Sequence, residues 1–177
     1  SDCLEIPAIH IAGTNGKGSC VAAMEVILRD LGYKVGCYTS PHILRFNERI
    51  KLDGAEISEE ILCAAFLAVE TARGDIKLTY FEFTTLVAFL IFSKRKLDFA
   101  LLEVGLGGRL DAVNIIEADV AVITSIDLDH QEWLGKDRES IGYEKAGIIK
   151  KNRPVVYGDS NPTESVLATA ESLNSKI

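Results

Sequence analysis

Seven consecutive residues, Gly13-Thr14-Asn15-Gly16-Lys17-Gly18-Ser19, hold the groups that phosphate chemistry needs. Glycines permit positive φ and let backbone N–H groups close on phosphate oxygens, a lysine reaches terminal phosphates, and a serine hydroxyl can face Mg²⁺. The apolar run Ala8-Ile9-His10-Ile11-Ala12 leads in and a helix-forming run follows, so the stretch reads as strand, loop and helix. Only two residues separate Gly13 from Gly16-Lys17, and Gly18 stands before Ser19, which departs from the common phosphate-loop spacing. The ligand implied is a nucleoside triphosphate with a metal; the plain alternative is a glycine-rich turn.

Other residues with chemical capacity also follow apolar runs. Thr39-Ser40-Pro41-His42 breaks the strand Lys34–Tyr38, as turn chemistry or as part of a site. Glu103 lies near the end of the apolar strand Phe99–Val104, ahead of Gly105-Leu106-Gly107-Gly108-Arg109. A buried ionised carboxylate needs a partner, either Mg²⁺ beside the triphosphate or the N–H groups of that glycine loop. Asp127, Asp129 and His130 follow the strand Val120–Ile123 and offer metal donors, unless they form a solvated turn. Thr79-Tyr80-Phe81-Glu82 has capping-box spacing, and Tyr80 and Phe81 fit a core or a pocket wall equally well. From spacing alone, Lys145 is a surface lysine paired with its neighbours.

These groups need a scaffold, and 177 residues with 47% hydrophobic and 25% charged content suffice for one domain with a substantial core. A formal charge of −7 argues against nucleic acid or an acidic membrane as the main partner. The four cysteines show no C-x-x-C spacing, no apolar run approaches the ~20 residues of a membrane span, and no signal peptide is visible. A cytoplasmic protein with reduced thiols is expected.

Val21, Met24, Leu28 and Leu31 mark a buried helical stripe that Gly32 can end. Asp53-Gly54 suggests a hairpin turn, and Ser58 caps a helix that buries Ile61, Leu62, Ala65, Phe66 and Val69. An apolar helix spans Phe83–Phe92, Asp137 caps another, Pro154–Tyr157 is a strand, and Asn161 caps a last helix with Pro162 at its first position. The alternation predicts an α/β domain, a largely parallel sheet flanked by helices on both faces. Ligands of such sheets bind beyond the carboxyl ends of the strands. Lys17, Ser19, Ser40, Glu103 and His130 therefore converge on one edge, where a metal-bound triphosphate can be held for phosphoryl transfer.

As a set, Gly13–Ser19, Thr39-Ser40-Pro41-His42 with Arg45-Phe46-Asn47-Glu48-Arg49-Ile50, Glu103–Ala112, Asp129-His130 and Glu144-Lys145-Ala146-Gly147-Ile148 resemble the folylpolyglutamate synthase and dihydrofolate synthase family of the Mur ligase superfamily. The resemblance implies a three-layer, P-loop NTPase-like ATP-binding domain. It also implies an ATP-dependent ligase that joins L-glutamate to a folate or dihydropteroate carboxylate through an acyl phosphate. By carry-over, Thr14, Asn15, Gly16, Lys17, Gly18 and Ser19 bind ATP. Ser19 and Glu103 hold one Mg²⁺, and Ser40, Glu103 and His130 a second. Lys145 matches a lysine that CO₂ can carbamylate, and Lys17, His130 and Lys145 are the catalytic set. Pro41, His42, Tyr80, Phe81 and Glu82 fall where folate contacts are expected, while Asp127 stands where glycine or asparagine is usual.

Family members are longer, with a C-terminal glutamate-ligase domain and, when complete, a monomeric state. Residues 1–177 are thus expected to be a truncated ATP-binding domain that binds ATP weakly and does not ligate alone. The rival readings are another Mur-type amino-acid ligase, a non-catalytic ATP-binding module, and a phosphotransferase or hydrolase using the same loop.

Overall fold

A computed structural model describes residues 4–128 and 135–177. A seven-stranded sheet has the order β4-β3-β2-β5-β1-β6-β7, with β1 (Ala8–Ala12), β2 (Val35–Tyr38), β3 (Ile50–Leu52), β4 (Ala55–Glu56), β5 (Phe99–Glu103), β6 (Val120–Ile123) and β7 (Val155–Tyr157). β1 lies between β5 and β6 and pairs in parallel with both, and β2 and β7 extend the parallel run. All five residues of β1 are buried, as a strand covered on both faces requires. β3 and β4 form an antiparallel edge hairpin, turned at Asp53 (φ 50°) and Gly54 (φ 82°). Positive φ at both positions is the tight hairpin geometry expected of Asp-Gly.

Side-chain alternation divides the core into two layers. Ile9, Ile11, Val35, Cys37, Leu101 and Val122 face α1 (Lys17–Asp30) through Val21, with Met24 and Leu28 packed alongside. Tyr38, Ala100, Leu102, Ala121 and Ile123 face a larger cluster. That cluster draws on α2 (Glu59–Arg73), α3 (Tyr80–Ser93), α4 (Arg138–Ala146) and α5 (Glu164–Ser172). The three-layer α/β architecture with a mostly parallel sheet is therefore present. Leu31 corrects the predicted α1 stripe: it is 66% exposed, because the helix ends there and Gly32 turns the chain away at φ 88°.

The caps are mostly as the sequence indicates. Ser58 accepts the Ile61 N–H, Asp137 accepts the Ser140 N–H, and Thr79 and Glu82 cap each other's backbone. The last helix differs. Its cap is Thr163 rather than Asn161, and Pro162 precedes the helix. The side chain of Glu139 on α4 accepts the Glu164 and Ser165 N–H groups, a long-range cap that no local pattern encodes.

Candidate functional site

Because β1, β2, β5 and β6 run in parallel, the loops that follow them leave one edge. After β1, Gly13 takes φ 150° so close to Thr124 that a Cβ would stand 1.8 Å from Thr124 Oγ1. Gly16, at φ 81°, is the N-cap of α1 and supplies no side-chain cap. The first-turn N–H groups of α1 thus lie at the positive end of the helix dipole beside exposed Asn15, Gly16, Gly18 and Ser19. Lys17 Nζ donates to the Gly13 carbonyl at 2.9 Å and the Thr14 carbonyl at 3.4 Å, folded over the loop. The β6 loop braces this cradle: Thr14 N–H donates to Ser125 O at 2.7 Å and Thr124 Oγ1 donates to Asn15 O at 2.7 Å.

Ser40, after β2, meets Glu103, at the end of β5, through its N–H, which donates to Glu103 Oε2 at 3.0 Å. Glu103 is 4% exposed and lies against the phosphate loop: a Cβ on Gly18 would be 3.9 Å from each carboxylate oxygen. Burial pushes the Glu103 carboxyl up, while the Ser40 N–H and the charges of Lys17 and Arg49 draw it back. One buried carboxylate with two hydroxyl residues near a phosphate cradle suits Mg²⁺, which takes few protein ligands and completes its shell with phosphate oxygens and water. Among the described residues no three His, Cys, Asp or Glu side chains cluster as a metal site. His130 and Asp129, both named as candidates from the sequence, lie outside the described residues. Asp127 behaves as a turn residue: its Oδ1 accepts the Leu128 N–H, and its backbone N–H and C=O both bond Thr14 Oγ1.

Lys145 is not the surface lysine its spacing suggests. It is 4% exposed and lines a narrow crevice with Gly13, Lys17 and residues 104–107. The end of α4 docks onto the glycine loop after β5, where a Cβ on Gly108 would come within 2.9 Å of the Glu144 and Lys145 carbonyl oxygens. Only glycine admits this approach, and it carries Lys145 to the phosphate loop.

The expected substrate residues fall in three places. Pro41 lines a cavity of about 210 Å³ with Gly18, Ser40, Glu25 and Glu103, and the Ser40–Pro41 peptide is cis. His42 Nδ1 accepts from Arg49 Nε at 2.8 Å. Phe81 packs between Tyr38 (centroids 6.0 Å apart) and Gly105, whose absent side chain makes room for its ring. Glu82 caps α3 and also lines a cavity of about 400 Å³ with Thr85, Arg109, Asp111, Ala112 and Asn114. Tyr80 is 61% exposed at the same end of α3.

Asp111 has no assigned role in the sequence reading, yet it shapes this cavity. Its carboxylate accepts the Leu106 and Val113 N–H groups at 2.8 and 3.0 Å, and burial pushes the carboxyl up. The available signal is an Asp two residues beyond the G-L-G-G-R run. Glu48 is likewise unanticipated. It accepts the N–H groups of Ile43, Leu44 and Arg45 at 2.7–2.8 Å, which hold it at about 2.

A curated dihydrofolate synthase/folylpolyglutamate synthase of Escherichia coli is 53% identical over 161 residues, 91% of this chain and 38% of that protein. A folylpolyglutamate synthase of Lacticaseibacillus casei is 42% identical over 92% of this chain and 40% of its own. A solved structure of E. coli FolC in complex with DHPP and ADP superposes with a TM-score of 0.92 at 51% identity, covering 94% of this chain and 40% of that one. The chain thus spans about two fifths of the relatives it matches. The Mur ligase middle domain profile matches residues 11–176, and the chain belongs to the Mur ligase middle-domain family.

Proposed function

We propose that residues 1–177 are the ATP-binding part of a ligase that joins L-glutamate to the carboxylate of dihydropteroate or a folate, and that a separate C-terminal domain completes the glutamate site. The observation that carries this reading is the contact of Ser40 with Glu103 beside Gly18. It unites the loops of three strands around one phosphate cradle, with the 400 Å³ cavity bordering the same β5 loop. The names of the relatives supply the acceptor class.

In this reading, backbone N–H groups of residues 15–19 and the Lys17 ammonium hold the ATP phosphates and stabilise charge in the transition state. An acceptor carboxylate oxygen attacks the γ-phosphorus, the bond from that phosphorus to the β,γ-bridging oxygen breaks, and ADP leaves with the electron pair. The glutamate amine then attacks the acyl carbon, loses a proton and expels inorganic phosphate. Two Mg²⁺ ions, held by Ser19 with Glu103 and by Ser40, Glu103 and His130, would neutralise phosphate charge. Carbamylation of Lys145 by CO₂ would turn its amine into a carbamate with a carboxylate's charge, in the crevice that Lys17 also lines. Pro41, His42, Phe81 and Glu82 wall the acceptor path. The free thiols Cys20, Cys37 and Cys63 support a cytoplasmic setting, and a monomeric full-length enzyme is part of the same proposal.

The test is ADP release by the full-length protein containing this chain, with Mg²⁺-ATP, L-glutamate and dihydropteroate, tetrahydrofolate or no acceptor. Dependence on one pterin identifies the ligase and its substrate. ADP release at the same rate without pterin assigns a hydrolase or another Mur-type ligase, and nucleotide binding without turnover assigns a non-catalytic module. The isolated chain is expected to bind ATP without ligating.

A further inference from the structure

Arg49 carries a charge that the phosphate cradle does not use. It ends the short 3₁₀ turn Phe46–Arg49 and is 7% exposed. Its guanidinium carbon lies 5.7 Å from the Phe46 ring centre and 5.6 Å from that of Tyr80. Nε donates to His42 Nδ1 at 2.8 Å. Arginine is always the donor, so that imidazole nitrogen offers its lone pair and the ring proton sits on Nε2. No carboxylate lies within 4.0 Å of Arg49 among the described residues, and Nη1 and Nη2 find no protein acceptor there. A buried cation with no carboxylate in direct contact is costly, and the more distant Glu103, two ring faces and a neutral imidazole offset only part of that cost.

Its place in the fold narrows the missing anion. The nucleotide phosphates have their own cradle on β1, whereas Arg49 follows the β2 loop, and β5 lies between β2 and β1. On one side its charge acts on Glu103; on the other it covers Tyr80, at the end of α3 whose Glu82 and Thr85 line the large cavity. Arg49 thus stands between Tyr80, at the start of the helix that borders the 400 Å³ cavity, and Glu103 beside the phosphate loop. A planar guanidinium fork with Nε already fixed fits a carboxylate.

Building on the ligase reading above, we propose that Arg49 binds the reacting carboxylate of the pterin acceptor, with His42 as the positioning residue that aims the fork. The same chemistry could come from the carboxylates of L-glutamate, so the test separates the two. In the full-length protein, Arg49→Gln is expected to raise the KM for dihydropteroate on the order of tenfold or more. The KM values for ATP and L-glutamate should stay near wild type. Equilibrium binding of dihydropteroate and of its primary carboxamide gives a readout that a merely structural role would not move. Wild type should prefer the acid about tenfold, and Arg49→Gln should bind acid and amide alike.

Arg49→Lys keeps the charge without the planar fork. It should lie between the two and serves if Arg49→Gln does not fold. His42→Phe, which removes the Nδ1 acceptor, should weaken acid binding more than amide binding and so lower the acid-to-amide preference. An unchanged acid-to-amide ratio in both Arg49 variants would overturn the assignment, as would a rise confined to the KM for L-glutamate. Pterin-independent ADP release by wild type removes the ligase reading itself and this proposal with it, whereas the former outcomes leave that reading standing.

Discussion

The loops after β1 and β2 leave the same edge of the sheet but are held in opposite ways. The first is fixed mainly through its backbone: glycine dihedrals set its path, its Thr14 N–H and Asn15 carbonyl bond Ser125 O and the Thr124 hydroxyl, and of its side chains the Thr14 hydroxyl adds a bond to the Asp127 backbone. The first-turn N–H groups of α1 face outward from it, with the Lys17 ammonium folded over the loop on the Gly13 and Thr14 carbonyls. The second is fixed by its own side chains. Glu48 gathers three successive N–H groups, Asn47 Nδ2 donates to Ile57 O at 2.7 Å, Arg45 pairs with Glu56, and Arg49 holds His42. A loop that must surround a polyanion gains from keeping side chains out of the way. A loop that presents selected side chains can use the others as its frame.

The largest effect should come from breaking the backbone-set loop. Gly13→Ala places a methyl group on Thr124 Oγ1 at a φ of 150°. Steric overlap and backbone strain together should lower stability by about 4 kcal/mol, read as a drop in the urea midpoint, with loss of ADP binding. An unchanged midpoint would show that the cradle adapts and that its geometry is not set by Gly13.

Second in size is an effect on β1 itself, one strand upstream of the cradle. His10 is fully buried and both ring nitrogens lack partners. Burial, and then the charge of Lys150, lower its pKa from 6.5 to about 4, against a smaller opposing pull from Asp119. The unfolded chain therefore takes up this proton first, so stability rises with pH across that window. It is undiminished above 6.5 and falls as pH drops toward 4, by about 3 kcal/mol in all. Replacing His10 with leucine should flatten this slope in urea titrations between pH 7 and 4.5. An equal slope in both proteins would remove His10 as the cause.

The side-chain-set loop should yield more gently. Glu48→Gln removes the charge that holds three N–H groups, so amide exchange at Ile43, Leu44 and Arg45 should quicken while exchange in β1 is unchanged. If all of these amides respond together, the two loops are not independently held.

These contrasts explain what the sequence made legible. The strand-loop-helix at Gly13 is read from local chemistry because glycines, lysine and serine act within one turn of chain. The Asp-Gly hairpin and the caps at Ser58, Thr79 and Asp137 are local in the same sense. Lys145 was opaque to spacing, since its burial depends on Gly108, 37 residues earlier, letting the end of α4 approach. The cap of α5 was misplaced because Glu139 supplies it from another helix. The convergence of Ser40 with Glu103 followed from strand direction, but the functions of Asp111, Glu48 and Arg49 arise from contacts that only the folded chain brings together.

The smallest effect offers the finest test of the backbone-set loop. Gly16 also has positive φ, at 81°, but a Cβ there would meet nothing within 4 Å. Gly16→Ala should therefore lose only the left-handed penalty, about 1 kcal/mol. Asparagine tolerates that conformation better, so Gly16→Asn should lose less stability than Gly16→Ala. Binding should rank differently. Both variants put atoms into the open space next to the first-turn N–H groups of α1, and the larger asparagine fills more of it. ADP affinity measured by calorimetry should fall further for Gly16→Asn than for Gly16→Ala, although its fold is the less strained. If affinity instead tracks stability across the pair, Gly16 serves the loop's conformation alone and the phosphates approach elsewhere.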